Sequence, residues 1–232
     1  MKLDVLLAAT EQLSQGASLD AATAEALFAP ILRGEVPPEA LAPFLVALAE
    51  KGEATAEILG AARAARALAA PFPALSTPVI DVCGTGGDGF GTINLSTASA
   101  FVLAAAGLSI AKHGNRSVTS ACGSADVLEA LGVPLELEPA RAAAAIEETR
   151  FAFLFAPRYH SGFRHVASVR KSLGRRTIFN LLGPLLNPAA PRTQLVGVFD
   201  ARFLGPLAEV LAALGVVRAR VVHGAGLDEV AP

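Results

Sequence analysis

Over the first 70 residues, apolar and polar positions alternate at helical spacing. Apolar side chains recur every three or four residues at Leu3, Leu6, Leu7 and Leu13, and again at Leu27, Phe28, Ile31 and Leu32. Such spacing gathers them on one face of a 3.6-residue turn. Gly16 and Ser18 separate a first helix from a second, and Gly34 closes the second. Pro37 and Pro38 open a third in the first-turn position that proline tolerates. Gly52 ends that helix, and Thr55 is placed to cap a fourth running to about Ala69. Pro71 and Pro73 mark a boundary, and no strand pattern precedes Pro78.

Beyond Pro78 the period changes. Short apolar runs at 79–82, 108–112, 133–137, 151–155, 194–199 and 218–223 predict strands. Helical runs lie between most of them, at about 95–106, 124–131, 139–149 and 202–214. Alternating strand and helix predicts a largely parallel α/β sheet, with ligands at the carboxyl ends of the strands. The interval 158–188 breaks the alternation with two helical runs, 163–173 and 177–182, closed by Pro184 and Pro188. Helices without a strand between them suit a return to the helical part. The expected domains are therefore a small all-α domain of 1–70 plus about 158–188, and an α/β domain of 71–157 plus 189–232.

Composition narrows the function. At 232 residues and 53% hydrophobic residues, the chain can bury a sizeable core. A net charge of −2 argues against nucleic acid or an anionic membrane as the main partner, so any basic site must be local. Cys83 and Cys122 lack metal-ligand spacing, and such sparse cysteine suits a reducing, cytoplasmic setting. Asp4 interrupts the first apolar run, which is not the pattern of a secretory signal. Residues 90–111 carry no charge and are long enough to span a bilayer, but their polar residues and glycines read better as a buried helix followed by a strand.

The candidate chemistry centres on Asp81-Val-Cys-Gly-Thr-Gly-Gly-Asp88. Gly84, Gly86, Gly87, Gly89 and Gly91 crowd the turn between a strand and a helix. Glycine lets backbone N–H groups close on a ligand, and a helix N-terminus adds the positive end of its dipole, so the turn is a phosphate cradle. Asn94, Ser96 or Thr97 can cap the helix. The dinucleotide fingerprint fits poorly, because no acidic residue lies between Asp88 and Asp126. Asp88 itself would repel phosphate and makes sense near a metal ion or a cationic sugar carbon. A second strand end carries Lys112-His-Gly-Asn-Arg116, a composition suited to an anionic, hydrogen-bonding ligand or to a solvated basic turn. Ser124 then stands where a helix cap or an anion ligand would. Tyr159 and His160 lie just past a third strand. Arg170 sits among Arg164, Lys171, Arg175 and Arg176, any of which also reads as surface charge. Late in the chain, Asp228 and Glu229 follow another strand and glycine turn. Adjacent carboxylates suit Mg²⁺, and an exposed acidic turn is the plainer alternative. His165 and His223 have no ligand-spaced partner and read as structural.

Together these stretches resemble the anthranilate phosphoribosyltransferase family of tryptophan biosynthesis. The motifs are Asp81-Val-Cys-Gly-Thr-Gly-Gly-Asp88, Asn94-Leu-Ser-Thr97, Lys112-His-Gly-Asn-Arg116, Gly123-Ser-Ala-Asp126, Arg175-Arg-Thr-Ile-Phe-Asn-Leu-Leu-Gly-Pro-Leu-Leu-Asn-Pro188 and Leu227-Asp-Glu229. Gly34-Glu-Val, Gly52-Glu and Gly60-Ala-Ala-Arg63 in the helical part also fit, so the resemblance runs the length of the chain in order. It implies a small helical domain, a larger α/β domain, a homodimer formed through the helices, and about two Mg²⁺ per subunit. The implied reaction moves the phosphoribosyl group of phosphoribosyl pyrophosphate to the amino group of anthranilate and releases pyrophosphate. Carried over by position, Gly84, Gly86, Gly87, Asp88, Thr92, Asn94, Ser96, Thr97, Lys112, Asn115 and Ser124 correspond to contacts with phosphoribosyl pyrophosphate. Gly84, His113, Asn115, His160 and Arg170 correspond to the anthranilate side, and Ser96, Asp228 and Glu229 to the metal ligands. No covalent nucleophile is assigned. The rivals are a pyrimidine nucleoside phosphorylase-like transfer, which needs no anthranilate-binding arginine, and a nucleic-acid-binding relative, which needs a broad basic face. Family members continue beyond the Asp-Glu pair, so the α/β domain is expected to be incomplete at its C-terminal end.

Overall fold

The computed structural model describes residues 3–86, 93–117 and 122–230. The chain begins with α1 (Leu3–Ser14), α2 (Ala21–Leu32), α3 (Pro38–Lys51) and α4 (Thr55–Ala67). Strand and helix then alternate as β1 (Ile80–Gly84), α5 (Leu95–Ala105), β2 (Ile110–Gly114), α6 (Ser124–Ala130), α7 (Pro139–Thr149) and β3 (Phe151–Phe155). The helical pieces α8 (Ala156–Tyr159), α9 (Arg164–Leu173) and α10 (Phe179–Leu182) follow, and β4 (Thr193–Gly197), α11 (Leu204–Ala213) and β5 (Arg218–Val222) complete the series. Contacts divide the chain into two units, Met1–Ala69 with His160–Leu185, and Ala70–Tyr159 with Leu186–Pro232. Among the described residues, no helix is long and apolar enough to cross a membrane.

In the helical unit the apolar stripes meet around Phe28, whose ring lies 5.8 Å from Phe44 and 5.8 Å from Phe179. Aromatic pairs in such tilted arrangements add to the burial that holds helices together. The α3–α4 corner is fixed differently from the expectation. Ala54, not Thr55, is the cap residue of α4, and its N–H donates to Glu57 Oε2 at 2.8 Å. The Glu57 carboxylate is fully buried and also accepts from Leu19 N at 3.0 Å and Lys51 Nζ at 3.0 Å. One side chain thereby ties the start of α4, the end of α3 and the approach to α2.

In the α/β unit all strand pairs are parallel and the order is β3-β2-β1-β4-β5. The chain builds outward from β1 in one direction and resumes on its other side with β4. That reversal leaves a crevice above the carboxyl ends of β1 and β4, the usual ligand position in open α/β sheets. The pairs β1–β4, β2–β3 and β4–β5 stay in register along their length, whereas β1 meets β2 only at Ile80 and Ile110.

The expected strand at 133–137 does not form. Pro134 has no N–H to give a ladder, and α7 begins at Pro139. The apolar run instead serves packing, with Leu135 buried in a cluster with Ala125, Leu128 and Phe153, and Val133 packed against that cluster. The expected helix at 177–182 shortens to Phe179–Leu182, because the Thr177 N–H donates to Asn180 Oδ1 at 3.0 Å rather than to a preceding carbonyl.

Candidate functional site

At the crevice between β1 and β4 the first glycine motif, Ser96 and the Asp228-Glu229 pair come together. After β1, Thr85 N donates to Gly197 O at 2.9 Å, and Phe199 N donates to Thr85 Oγ1 at 3.0 Å. These bonds tie the start of the glycine turn to the end of β4. The chain beyond β5 then doubles back. Gly224 and Leu227 exchange backbone hydrogen bonds at 3.1 and 2.8 Å, and Ala225 and Gly226 between them have φ of 49° and 83°. A turn with both central residues at positive φ reverses the chain sharply, and it lays Asp228 over the strand ends. Space exists for it only because two strands end in glycine. A Cβ on Gly197 would lie 1.5 Å from Asp228 O, and one on Gly84 would lie 2.6 Å from Asp228 Oδ2.

The two carboxylates seat on donors expected to meet a phosphate. Gly86 N donates to Asp228 Oδ2 at 2.7 Å. Ser96 Oγ donates to Glu229 Oε1 at 3.1 Å, in the first turn of α5. Burial raises the Glu229 carboxyl above its ordinary range and the neighbouring Asp228 charge adds to that, against the lowering effect of Ser96. A half-buried carboxylate whose ionised form is disfavoured is ready for a cation. Among the described residues no cluster of three or more His, Cys, Asp or Glu could hold a metal alone. Two carboxylates and a hydroxyl do match the hard oxygen donors of Mg²⁺, which completes its shell with waters and substrate phosphates.

Asn94 precedes α5 as its cap residue without a side-chain cap bond, and its Nδ2 reaches Cys122 O at 3.3 Å. Thr97 is buried on the inner side of that helix. Gly87, Asp88 and Thr92 lie outside the described residues.

At the end of β2 the structure rearranges the sequence picture. Lys112 is buried, and its Nζ donates to Val82 O at 2.7 Å, across the gap where β1 and β2 part. Burial pulls its pKa down, opposed by the charges of Asp81, Cys83 and Glu229. Asp81 is buried beside it. Burial pushes its carboxyl up, with Lys112 and a hydrogen bond from Asn187 pulling the other way. Asn187 Nδ2 donates to Asp81 Oδ2 at 2.8 Å and to Ala111 O at 2.7 Å, while its Oδ1 accepts from Ala189 N at 2.9 Å. Asp81 and Asn187 were not singled out by sequence, although both stand inside quoted motifs. The backbone N–H of His113 lies 3.4 Å from Asp81 Oδ1, and its side chain is buried.

Arg116 is not available to an anion as the basic composition suggested. Its guanidinium pairs with Asp126 at 3.0 Å and with Glu129 at 2.8 Å. Ser124 is the first residue of α6 rather than its cap, which is Gly123. The Ser124 hydroxyl donates to Asn115 O at 3.2 Å, and Asn115 Oδ1 accepts from Arg116 N at 2.8 Å.

In the helical unit, Arg170 lies on α9 with its guanidinium carbon 5.5 Å from the centre of the Phe179 ring. Burial lowers its pKa, and among the described residues no carboxylate pairs with it. A largely buried cation stacked on an aromatic face and lacking a counter-ion suits an incoming carboxylate. His160 is buried with its ring 6.0 Å from that of Phe163. Tyr159, in the other unit, is core: it is buried and its ring meets Phe72 at 6.0 Å. His223 Nδ1 bonds Val198 O at 2.7 Å, a structural use.

Comparison with known proteins covers both units. Residues 76–232 match the glycosyl transferase family, a/b domain, and residues 7–69 match the glycosyl transferase family, helical bundle domain. An anthranilate phosphoribosyltransferase of Shewanella denitrificans is 53% identical over 95% of this chain, and the chain spans 62% of that relative's length. The crystal structure of the Thermus thermophilus enzyme of the same name is 49% identical with a TM-score of 0.88, covering 96% of this chain and 67% of that one. The Saccharomyces cerevisiae enzyme, solved with PRPP and Mg, is 29% identical with a TM-score of 0.90, covering 97% of this chain and 68% of its own. The same yeast enzyme has been solved with 4-fluoroanthranilate, with a TM-score of 0.86, 28% identity and coverage of 99% and 67%.

Proposed function

The chain belongs to the anthranilate phosphoribosyltransferase family of glycosyl transferases, and we propose that it serves the transfer of a phosphoribosyl group from phosphoribosyl pyrophosphate to the amino group of anthranilate, in tryptophan biosynthesis. The observation that carries the proposal is the seating of Asp228 on the Gly86 N–H and of Glu229 on the Ser96 hydroxyl, at the β1–β4 crevice. The backbone N–H of Gly86, the N-terminus of α5 and a carboxylate pair meet there, which is what a metal-bound pyrophosphate needs. The yeast relative's complex with PRPP and Mg supports the same assignment.

In this reaction the C1′–oxygen bond to pyrophosphate breaks and the oxygen keeps the electron pair. The C1′–nitrogen bond forms, and the amine gives up a proton. Negative charge grows on the leaving group, and positive charge on the ribose. Gly86 N–H and the first turn of α5 would face the leaving group. The Lys112 ammonium has three donors and, among the described residues, spends one on Val82 O; the others would meet phosphate oxygens. Asp228, Glu229 and Ser96 would hold Mg²⁺, as two ions in the family's pattern. Bound metal supplies charge that offsets the departing pyrophosphate. Anthranilate is an aromatic amine, neutral at pH 7, so the acceptor needs placement more than a base. His113 and Asn115 at the β2 end, and His160 and Arg170 in the helical unit, are assigned to it. Arg170 would take its carboxylate. The exposed apolar residues Leu3, Val5 and Leu7 on α1 suit a second copy of the chain, in a twofold dimer.

The test follows the loss of anthranilate fluorescence with phosphoribosyl pyrophosphate and Mg²⁺. Pyrophosphate release should match the loss mole for mole, and both should cease without metal. Asp228→Asn combined with Glu229→Gln should remove the Mg²⁺ dependence and leave the circular dichroism unchanged. Unchanged metal response in that variant would place the ions elsewhere.

A further inference from the structure

We propose that Asp126 is a positioning residue for this transfer: its carboxylate bridges the two ends of the loop after β2 and thereby fixes Asn115 and Ser124. The inference rests on the function proposed above, because those two residues are assigned to the substrates there. Asp126 lies in the first turn of α6. Its Oδ2 accepts from Gly123 N at 2.8 Å and from Ser117 N at 3.1 Å, and its Oδ1 accepts from Arg116 Nη1 at 3.0 Å. The bond to Gly123 is ordinary capping, an acid at the third helical position reaching back to the cap. Those to Ser117 and Arg116 are not, for both residues belong to the outgoing limb of the loop. Glu129, one turn further along α6, takes the same guanidinium from a second side, with two bonds of 2.8 Å. The forked geometry orients Arg116 as well as neutralising it.

The limbs are joined at two further points. The Ser124 hydroxyl and the Ala125 N–H both donate to Asn115 O, each at 3.2 Å. Gly123 is where the limbs touch: a Cβ there would lie 2.3 Å from Ser117 N and 2.6 Å from the Arg116 carbonyl carbon. Among the described residues the stem is thus closed by the Asp126 carboxylate, the Ser124 hydroxyl, the Ala125 N–H and the Gly123 contact. Asp126 accepts three of these bonds among the described residues and is assigned to neither substrate.

Asp126→Asn keeps the shape and tests the role. An amide has one acceptor oxygen, so it turns a donor either toward Arg116 or toward the two N–H groups. We expect amide exchange at Ser117 and Gly123 to rise at least about tenfold, with the melting temperature near that of the parent. Misplacing substrate contacts by about 1 Å can cost about 100-fold, so kcat/KM for phosphoribosyl pyrophosphate should fall by about 10- to 100-fold. Glu129→Gln, which loosens only Arg116, should fall between parent and Asp126→Asn. Parental kcat and KM in Asp126→Asn would overturn the inference. So would an activity loss that the unfolded fraction accounts for, since that marks a plain helix cap. An inactive parent whose Ser117 exchange still responds would instead sink the proposed function and leave the loop closure standing. An active parent with an indifferent variant would do the reverse.

Discussion

Each unit of the protein buries a lysine close to a carboxylate, and the two pairs are built to opposite ends. In the helical unit, Lys51 and Glu57 meet at 3.0 Å, and Glu57 takes two backbone N–H groups besides. Lys51 also reaches Ser18 Oγ at 3.2 Å and Gly52 O at 2.7 Å. Every strong donor and acceptor is spent inside the fold, as a buried ion pair requires if it is not to cost stability. In the α/β unit, Asp81 is held by Asn187, while Lys112 has the Val82 carbonyl as its hydrogen-bond partner among the described residues. Among the described residues the other two Lys112 donors have no hydrogen-bond partner, at the end of β2 where it pairs with β1 only at Ile80 and Ile110. The contrast supports reading Lys51 as a scaffold ion, saturated within the fold, and Lys112, buried with one hydrogen-bond partner among the described residues, as the proposed site ion.

Breaking the saturated pair should produce the largest effect. Lys51→Met strands a fully buried Glu57, and removing one partner of a buried pair costs about 3–5 kcal/mol. Denaturant unfolding should show that loss, while the affinity of the folded fraction for phosphoribosyl pyrophosphate stays parental. Lys112→Met is the matched experiment. Asp81 keeps its Asn187 bond, so the stability loss should be the smaller of the two. Affinity for phosphoribosyl pyrophosphate should drop by about 1.5–3 kcal/mol, the worth of a hydrogen bond to a charged group. If Lys112→Met destabilises as much as Lys51→Met and leaves affinity alone, both lysines are scaffold.

Much of this was legible in the sequence, and what was not has a physical reason. Short apolar runs located the strands that form: β1 to β4 are short, continuous and largely buried, as parallel strands are, while β5 keeps its first three residues exposed. The same rule misplaced 133–137, where apolar density reports burial rather than pairing and Pro134 withholds the ladder donor. Gly84 at the end of β1, Gly86 just past it and Ser96 at the start of α5 met the Asp228-Glu229 pair in the crevice because the turn after β5 folds that pair back over the strand ends. Asp81 was passed over because its meaning lies in Asn187, 106 residues away. The Lys112–Arg116 stretch stayed open between an anion site and a basic turn, because local composition cannot reveal that Asp126 and Glu129 would return to pair with Arg116.

In the helical unit the proposed anthranilate-binding cation is Arg170. Arg170 is largely buried over Phe179 without a carboxylate partner among the described residues. Arg170→Ala should weaken use of anthranilate by about 1.5–3 kcal/mol, with KM for phosphoribosyl pyrophosphate hardly altered. Stability should change little, unlike Lys51→Met in the same unit. Equal losses for both substrates would make Arg170 a packing residue.

The smallest effect is the most specific. Burial lowers the pKa of Lys112 from an ordinary value of 10.5. Between the folded and unfolded values the unfolded chain therefore holds more protons than the native one, so stability due to this group rises with pH. Below the folded value the group is charged in both states and the burial penalty is present in full. Above 10.5 it is neutral in both states and the penalty is gone. The slope inside the window is at most about 1.4 kcal/mol per pH unit for one proton. Affinity for phosphoribosyl pyrophosphate should move the other way, falling as the ammonium is lost. Other groups titrate at alkaline pH as well, so the measurement is the difference between the parent and Lys112→Met. Urea midpoints and ligand titrations across the alkaline range should give difference curves of opposite sign. Two flat curves would mean that Lys112 has no lowered pKa, and curves of the same sign would mean that its charge supports the fold instead of the ligand.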